Sequence, residues 1–214
     1  MTKATVEDLL RLPPEKRLEI ADLLLRSIEP QEGPPPAYLY KYLRFCEGLE
    51  DLFAHSRIKF TAPSDFNDLL DCMIEPLWET SEQQALGQEA LQRVQRTLGV
   101  LPLTEEPLSV TMWARYGDNY RGLCIRFATE GNDYFGRAQR VRYRQDYPAF
   151  SGLSTPMAQQ YDNILLTKSL EWRDEREWRL ITHTAGNHEL PREALVAVIF
   201  GLRTPDAQKE QVRG

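Results

Sequence analysis

From Glu177 to Thr182 the residues alternate, with Glu177, Arg179 and Ile181 on one side and Trp178, Leu180 and Thr182 on the other. That period of two is the strongest constraint in the chain, because it demands a half-buried strand with an acid and a guanidinium on one face. The charge starts upstream, in Lys168-Ser169-Leu170-Glu171-Trp172-Arg173-Asp174-Glu175-Arg176. Two arrangements satisfy such a strand: a solvated cross-strand ion-pair ladder, or a carboxylate held beside large aromatics for chemistry. A second polar-aromatic block, Met112-Trp113-Ala114-Arg115-Tyr116-Gly117-Asp118-Asn119-Tyr120-Arg121-Gly122, precedes another strand pattern. Two such blocks favour a built site.

At 214 residues the chain suits one sizeable domain with an appendage. Its 42% apolar and 27% charged residues are ordinary for a globular protein, and no apolar run approaches a membrane span. The opening Met-Thr-Lys-Ala-Thr lacks a signal-peptide pattern, so a bacterial, cytoplasmic setting without membrane association is expected. Cys46, Cys72 and Cys124 are widely spaced and odd in number, which predicts reduced core residues. His55, His183 and His188 show no ligand spacing, so no metal is implied. A net charge of −6 disfavours nonspecific duplex binding. Arg137, Arg140, Arg142 and Arg144 form the best local basic patch, which reads equally well as a solvated strand edge.

The organisation is expected in three parts. Residues 1–30 read as an amphipathic helical unit, with proline in the first turn (Pro13, Pro14) and a stripe of Leu18, Ala21, Leu25 and Ile28. Residues 31–36 form a Pro-rich linker, and 37–214 an α+β domain. Within that domain strands are expected at Tyr38–Tyr42, Arg57–Thr61, Pro107–Thr111, Gly122–Phe127, Val141–Tyr143, Glu177–Thr182 and Leu195–Gly201. Helices are expected at Gly48–His55, Ser81–Leu98 (apolar stripe Ala85, Leu91, Val94, Leu98) and Thr155–Leu166, with a short helix or turn at Met112–Tyr120. Without a regular βαβ rhythm, the pattern favours a mixed, mostly antiparallel sheet with flanking helices.

The opening LLRLPPEKRLEIADLLLRSIEP resembles the addiction-module component family, which implies a toxin–antitoxin setting and a protein partner for this helix. The ordered blocks LYKYL, RIKFTAPSDFNDLLDC, SVTMWARYGDNYRGLCIRF, VRY, KSLEWRDEREWRLI and VAVIFG resemble the bacterial domain of unknown function 2971, over about residues 38–201. The chain departs from that family at Leu69, where proline is usual, and near Tyr120, where a histidine is. The strand, helix, strand and late glutamate-led strand are also similar to the split-sheet core of ADP-ribosyltransferases. That resemblance implies NAD as co-substrate, with Tyr40, Lys41, Arg44 and Trp113 in cofactor binding and Tyr116, Glu175 and Glu177 in catalysis. The expected function is a toxin or phage-defence effector that transfers ADP-ribose from NAD to a protein or nucleic-acid acceptor. The alternatives are a nucleotide- or partner-binding module, or a metal-dependent nuclease using Asp65, Asp68, Asp71, Glu175 and Glu177.

Overall fold

The alternating apolar residues of the strands set the core. Leu39, Leu101, Leu103, Ile125, Phe127, Trp178 and Leu180 project from one face of a sheet and pack together with Leu49, Leu52, Ile58, Phe60 and Phe135. The computed structural model describes residues 33–213 apart from 47, 69–70, 73–74, 77–80, 147–148 and 151–161, together with positions 13 and 16. The helical reading of residues 1–30 and most of the expected helix at 155–166 lie outside the described residues; 162–165 are helical.

The fold is α+β. Six strands form a sheet in the order β12 (Leu195–Phe200), β5 (Leu123–Ala128), β1 (Tyr38–Leu43), β4 (Gly99–Thr104), β10 (Glu177–Thr182), β6 (Gln139–Arg140). Every pairing in it is antiparallel. Three two-stranded pieces join β2 (Arg57–Phe60) to β11 (Gly186–Glu189), β3 (Glu75–Pro76) to β8 (Ala149–Phe150), and β7 (Arg142–Arg144) to β9 (Thr167–Ser169). The helices are α1 (Gly48–His55), α2 (Ser81–Thr97), α3 (Val110–Arg115) and α4 (Asp206–Arg213).

Several expectations need correction. Pro107–Thr111 is not a strand: Ser109 accepts the Met112 amide through its hydroxyl, 3.3 Å, and caps α3. The strand lies earlier, at β4, where Pro102 had hidden it. Cys72 and Cys124 are buried, as expected, but Cys46 is exposed. In the α2 stripe Leu98 is buried, while Ala85 is exposed.

Pro102 also explains a break in the sheet. It has no N–H to offer a neighbour, and β1 and β4 pair at a single register position, Tyr40 opposite Thr104. Along Lys41–Leu43 the two strands part. There Lys41 Nζ donates to the Pro102 carbonyl at 2.9 Å, so an ammonium satisfies the group that a backbone amide would otherwise take.

The second face is covered by α3. Met112 and Trp113 pack on Tyr42 and Cys124, with Tyr40, Tyr116 and Tyr120 alongside. The segment after α3 carries three consecutive left-handed residues, Asp118 (φ 48°), Asn119 (φ 51°) and Tyr120 (φ 69°). Each such residue without glycine's freedom costs about 1–2 kcal/mol. The Tyr120 ring stacks on Trp113, 5.9 Å between centroids, and its carbonyl accepts from Arg203 N at 2.9 Å. The turn ends at Gly122, where a Cβ would lie 2.2 Å from the Leu43 carbonyl oxygen. Gly122→Ala is therefore expected to destabilise the fold by about 1–3 kcal/mol, read as a lowered urea midpoint at unchanged slope.

Candidate functional site

The charged face of β10 is buried, not solvated. Arg179 is 0% exposed, and Glu177 and Glu175 are also buried. Taking a guanidinium out of water costs several kcal/mol unless its donors and charge are matched, and here they are. Arg179 Nε donates to Glu177 Oε1 at 2.6 Å, Nη2 donates to both Asp71 carboxylate oxygens at 2.9 and 2.7 Å, and Nη1 donates to the Leu165 carbonyl at 2.6 Å and to Cys72 Sγ at 3.3 Å.

Lys168, on β9, is the second buried cation. Its Nζ donates to Glu175 Oε2 at 2.7 Å and Glu177 Oε2 at 2.8 Å, and lies 3.6 Å from Asp71 Oδ2. Three carboxylates thus converge on one ammonium. The backbone brings them there in steps. A 3-10 turn, Leu170–Glu175, places Glu175; Arg176, left-handed at φ 42°, then redirects the chain into β10. Thr104 Oγ1 holds the Glu175 carbonyl at 2.6 Å. Tyr143, opposite Lys168 in the β7–β9 pair, accepts the Glu177 amide on its hydroxyl at 2.8 Å.

The electrostatics follow from this packing. Burial works to raise the Glu177 pKa, but Arg179 and Lys168 outweigh it and hold the carboxyl down at about 2. Burial works against the Lys168 charge too, and Glu177 and Glu175 overcome it, so its pKa lies above the usual lysine value. Lys41 goes the other way. Part of its side chain meets solvent, yet burial of the ammonium lowers its pKa to about 8, against the pull of Glu177 and Glu175. Burial, with Glu175 adding to it, pushes the Tyr116 hydroxyl up to about 12, so Tyr116 is a hydrogen-bond donor at neutral pH.

Glu175, itself buried, is where the network meets the half-exposed Arg115. Tyr116 OH donates to Glu175 Oε1 at 2.9 Å, and Arg115 Nη1 lies 3.6 Å from the same oxygen with half its side chain exposed. Arg115 sits over the Trp172 ring at 4.6 Å, and Lys168 Nζ is 5.0 Å from that ring centre. Trp172 is partly buried, unlike Trp113 and Trp178, which are core residues.

Of the residues expected at a site, the structure joins Glu175, Glu177 and Tyr116 directly and places Tyr40 and Lys41 beside them. Tyr40 lies in a row across the sheet: Arg126 opposite Tyr40, Tyr40 opposite Thr104, Thr104 opposite Glu177. Three strand spacings make that row roughly 14 Å long. Trp113 is buried edge-on against Tyr42, its Nε1 donating to the Pro107 carbonyl. Arg44 is exposed beyond the end of β1. Among the acids considered for a nuclease, Asp71, Glu175 and Glu177 meet at Lys168, while Asp65 is exposed. In the basic patch, Arg142 is bound to Asp162 at 2.6 Å and Arg140 lies 3.7 Å from Glu105. Sequence reasoning noted Arg179 beside Glu177, Lys168 at the head of the charged block and Asp71 among the acids, but gave the two cations no place in the site, and it missed Arg126. A cavity of about 210 Å³ opens elsewhere, between α1 and residues 190–195, and contains none of the expected residues.

The family described as Protein of unknown function (DUF2971) matches residues 112–180, from α3 to the middle of β10. That span holds Tyr116, Lys168, Glu175, Glu177 and Arg179. The match does not reach the opening segment, whose likeness to the addiction-module component family finds no support in it. No curated protein and no solved structure matches the chain. Among the described residues no helix is long and apolar enough to cross a membrane.

Removing the central cation leaves the acids uncompensated. Lys168→Met is expected to cost about 3–5 kcal/mol, measured by urea unfolding at neutral pH. The pH dependence has two arms. Glu177 titrates near 2 in the fold against an ordinary 4.5, so its stabilisation is complete above about 4.5 and is lost as the pH falls towards 2. Lys41 titrates near 8 against an ordinary 10.5, so the penalty for charging it operates below 8 and is relieved between 8 and 10.5. Urea midpoints should therefore fall in acid, and the Lys41 contribution should rise across the alkaline window. Lys41→Met should remove that alkaline rise.

Proposed function

We propose that the protein binds a dinucleotide of the NAD type along the Tyr40 row and transfers its ADP-ribosyl group to a macromolecular acceptor, with Glu175 as the carboxylate facing the ligand. The observation that supports this reading is the difference between the two acids. Glu177 is saturated by Lys168 and Arg179, whereas Glu175 shares one oxygen with Tyr116 and Arg115 at a half-exposed rim that includes Trp172.

The chemistry needs a negative charge where positive charge develops. As the bond between the ribose C1′ and the nicotinamide nitrogen breaks, nicotinamide leaves with the electron pair and the ribose becomes oxocarbenium-like. A carboxylate beside it stabilises that state, and can take the proton of the acceptor group as the new bond to C1′ forms. Lys168, itself held by Glu177, would keep Glu175 in place through its second oxygen. Trp172 and Tyr116 offer aromatic surface to the leaving ring. Arg126, at the far end of the row, has only the Tyr38 ring against its guanidinium, at 4.8 Å, and no carboxylate partner among the described residues, which suits a pyrophosphate.

A second reading, a nucleotide-binding module without turnover, is favoured by one observation: every carboxylate of the network already faces a cation. The two part on a single experiment. Purified protein is incubated with labelled NAD and mixed protein and nucleic-acid acceptors, alongside Glu175→Gln, Trp172→Ala and Arg126→Ala. For the transferase, Glu175→Gln should lower nicotinamide release by about 10²-fold or more while NAD still binds. Trp172→Ala and Arg126→Ala should weaken binding. NAD binding without release by the unaltered protein would move the assignment to the binding module, and the absence of both would overturn each reading.

A further inference from the structure

The side chain of Glu175 is only 5% exposed, so a ligand can reach it only if something moves aside. Lys168 holds one of its oxygens at 2.7 Å and Tyr116 the other at 2.9 Å, both by hydrogen bonds. The third group on it is held differently. Arg115 Nη1 lies 3.6 Å from Oε1, too far for a hydrogen bond, and 48% of the Arg115 side chain meets solvent. Its guanidinium rests over the Trp172 ring, 4.6 Å from the centre. Arg115 is the last residue of α3, and the amides of Tyr116 and Gly117 both donate to the Met112 carbonyl, at 2.8 and 3.2 Å, so the backbone beneath it is fixed and the side chain alone can swing. Charge explains why it rests there. Asp71, Glu175 and Glu177 touch two buried cations, Lys168 and Arg179, and the Lys41 ammonium is given to the Pro102 carbonyl, so Arg115 is the third cation in contact with three acids. A half-exposed ion pair at that distance is weak and exchanges for a better-placed anion.

We propose, building on the transferase reading, that Arg115 is a gate on Glu175 that opens to phosphate: a ligand with a phosphate beside its reacting ribose draws the guanidinium off the carboxylate, and a ligand without one finds Glu175 covered. Two features select a phosphate. A guanidinium pairs two N–H groups with two phosphate oxygens, a bidentate contact that a single 3.6 Å approach to a carboxylate oxygen does not match. Arg126 stands at the far end of the Tyr40 row, which leaves Arg115 to the phosphate nearest the nicotinamide ribose. With Arg115 withdrawn, Glu175 keeps Lys168 and Tyr116 and stays oriented. The cation that would compete with the oxocarbenium-like ribose for Oε1 is then gone. Binding energy from a part of the ligand that does not react is thus spent on uncovering the carboxylate that serves the part that does.

Nicotinamide mononucleotide and nicotinamide riboside differ only in that phosphate, and nicotinamide release from each tests the gate in the full chain, in Arg115→Ala and in Arg115→Lys. The unaltered protein should favour the mononucleotide by about 10²-fold in kcat/KM. Arg115→Ala should bring the two within about threefold, because release from the mononucleotide falls and release from the riboside rises. The rise separates a gate from a plain phosphate anchor, and a misfolded variant cannot produce it. Arg115→Lys, which keeps the charge without the fork, should hold a preference of about tenfold. Trp172 emission reads the same motion without turnover. Inorganic phosphate should change it saturably in the unaltered protein, sodium chloride at equal ionic strength should not, and the change should vanish in Arg115→Ala and Trp172→Phe. If neither compound nor NAD releases nicotinamide, the transferase reading fails and the phosphate response alone decides the gate. Riboside release that does not rise in Arg115→Ala, or emission indifferent to phosphate, overturns it.

Discussion

Arg179 is the charge around which this structure is arranged. A guanidinium with no solvent exposure must find its counter-ions and acceptors inside the protein, and no single element can supply them. Glu177 comes from the same strand, Asp71 from the loop after β2, and the Leu165 carbonyl from the segment leading to β9. The guanidinium therefore ties three stretches of chain that are far apart in sequence. The carboxylates it recruits would repel one another without a second cation, and Lys168 fills that place. Buried ionic groups of this kind add little net stability over an apolar core, but any one of them missing its partner is costly.

The network also separates two glutamates that look equivalent in sequence. Residues 175 and 177 are two apart, yet Arg176 adopts a left-handed conformation between a 3-10 turn and a strand. Glu177 consequently faces inward to two cations, and Glu175 reaches the boundary where Tyr116, Arg115 and Trp172 meet solvent. A buried carboxylate anchored by Lys168 on one oxygen and met on the other by Tyr116 and the half-exposed Arg115 is the arrangement on which the proposed chemistry rests.

Much of the fold could be read before the structure. β10, β5, β12 and β1 carry strict alternation or dense β-branched and aromatic residues, and each was placed within a residue or so. β4 was not, because Gly99 and Pro102 are poor strand residues and the strand follows α2 after a single residue. The position that hides the strand is the one where the sheet needs no amide. At the site, the acids and Tyr116 were legible because charge beside tryptophan is conspicuous. The solvated ladder for Glu177 and Arg179 was half right: the ion pair exists, but water does not reach it. Burial of Lys168 and Arg179, and the part played by Asp71, depend on long-range packing that local pattern cannot carry. A signal was available in Lys168, the middle residue of a short strand and nine residues before Glu177.

The single residue pair between β1 and β4 has a mechanical consequence. With the ladder broken at Pro102, the sheet is two three-stranded panels, β12-β5-β1 and β4-β10-β6, stitched at Tyr40 and Thr104 and by the Lys41 ammonium. Backbone pairing, which makes a sheet stiff along its width, is reduced to one register position at that seam, so the coupling between the panels runs through side chains, including the core they share. One panel carries β12 and Arg126, and the other carries Glu177 and Arg179. Whatever twists one panel against the other is felt first at Tyr40, the middle of the row that joins them.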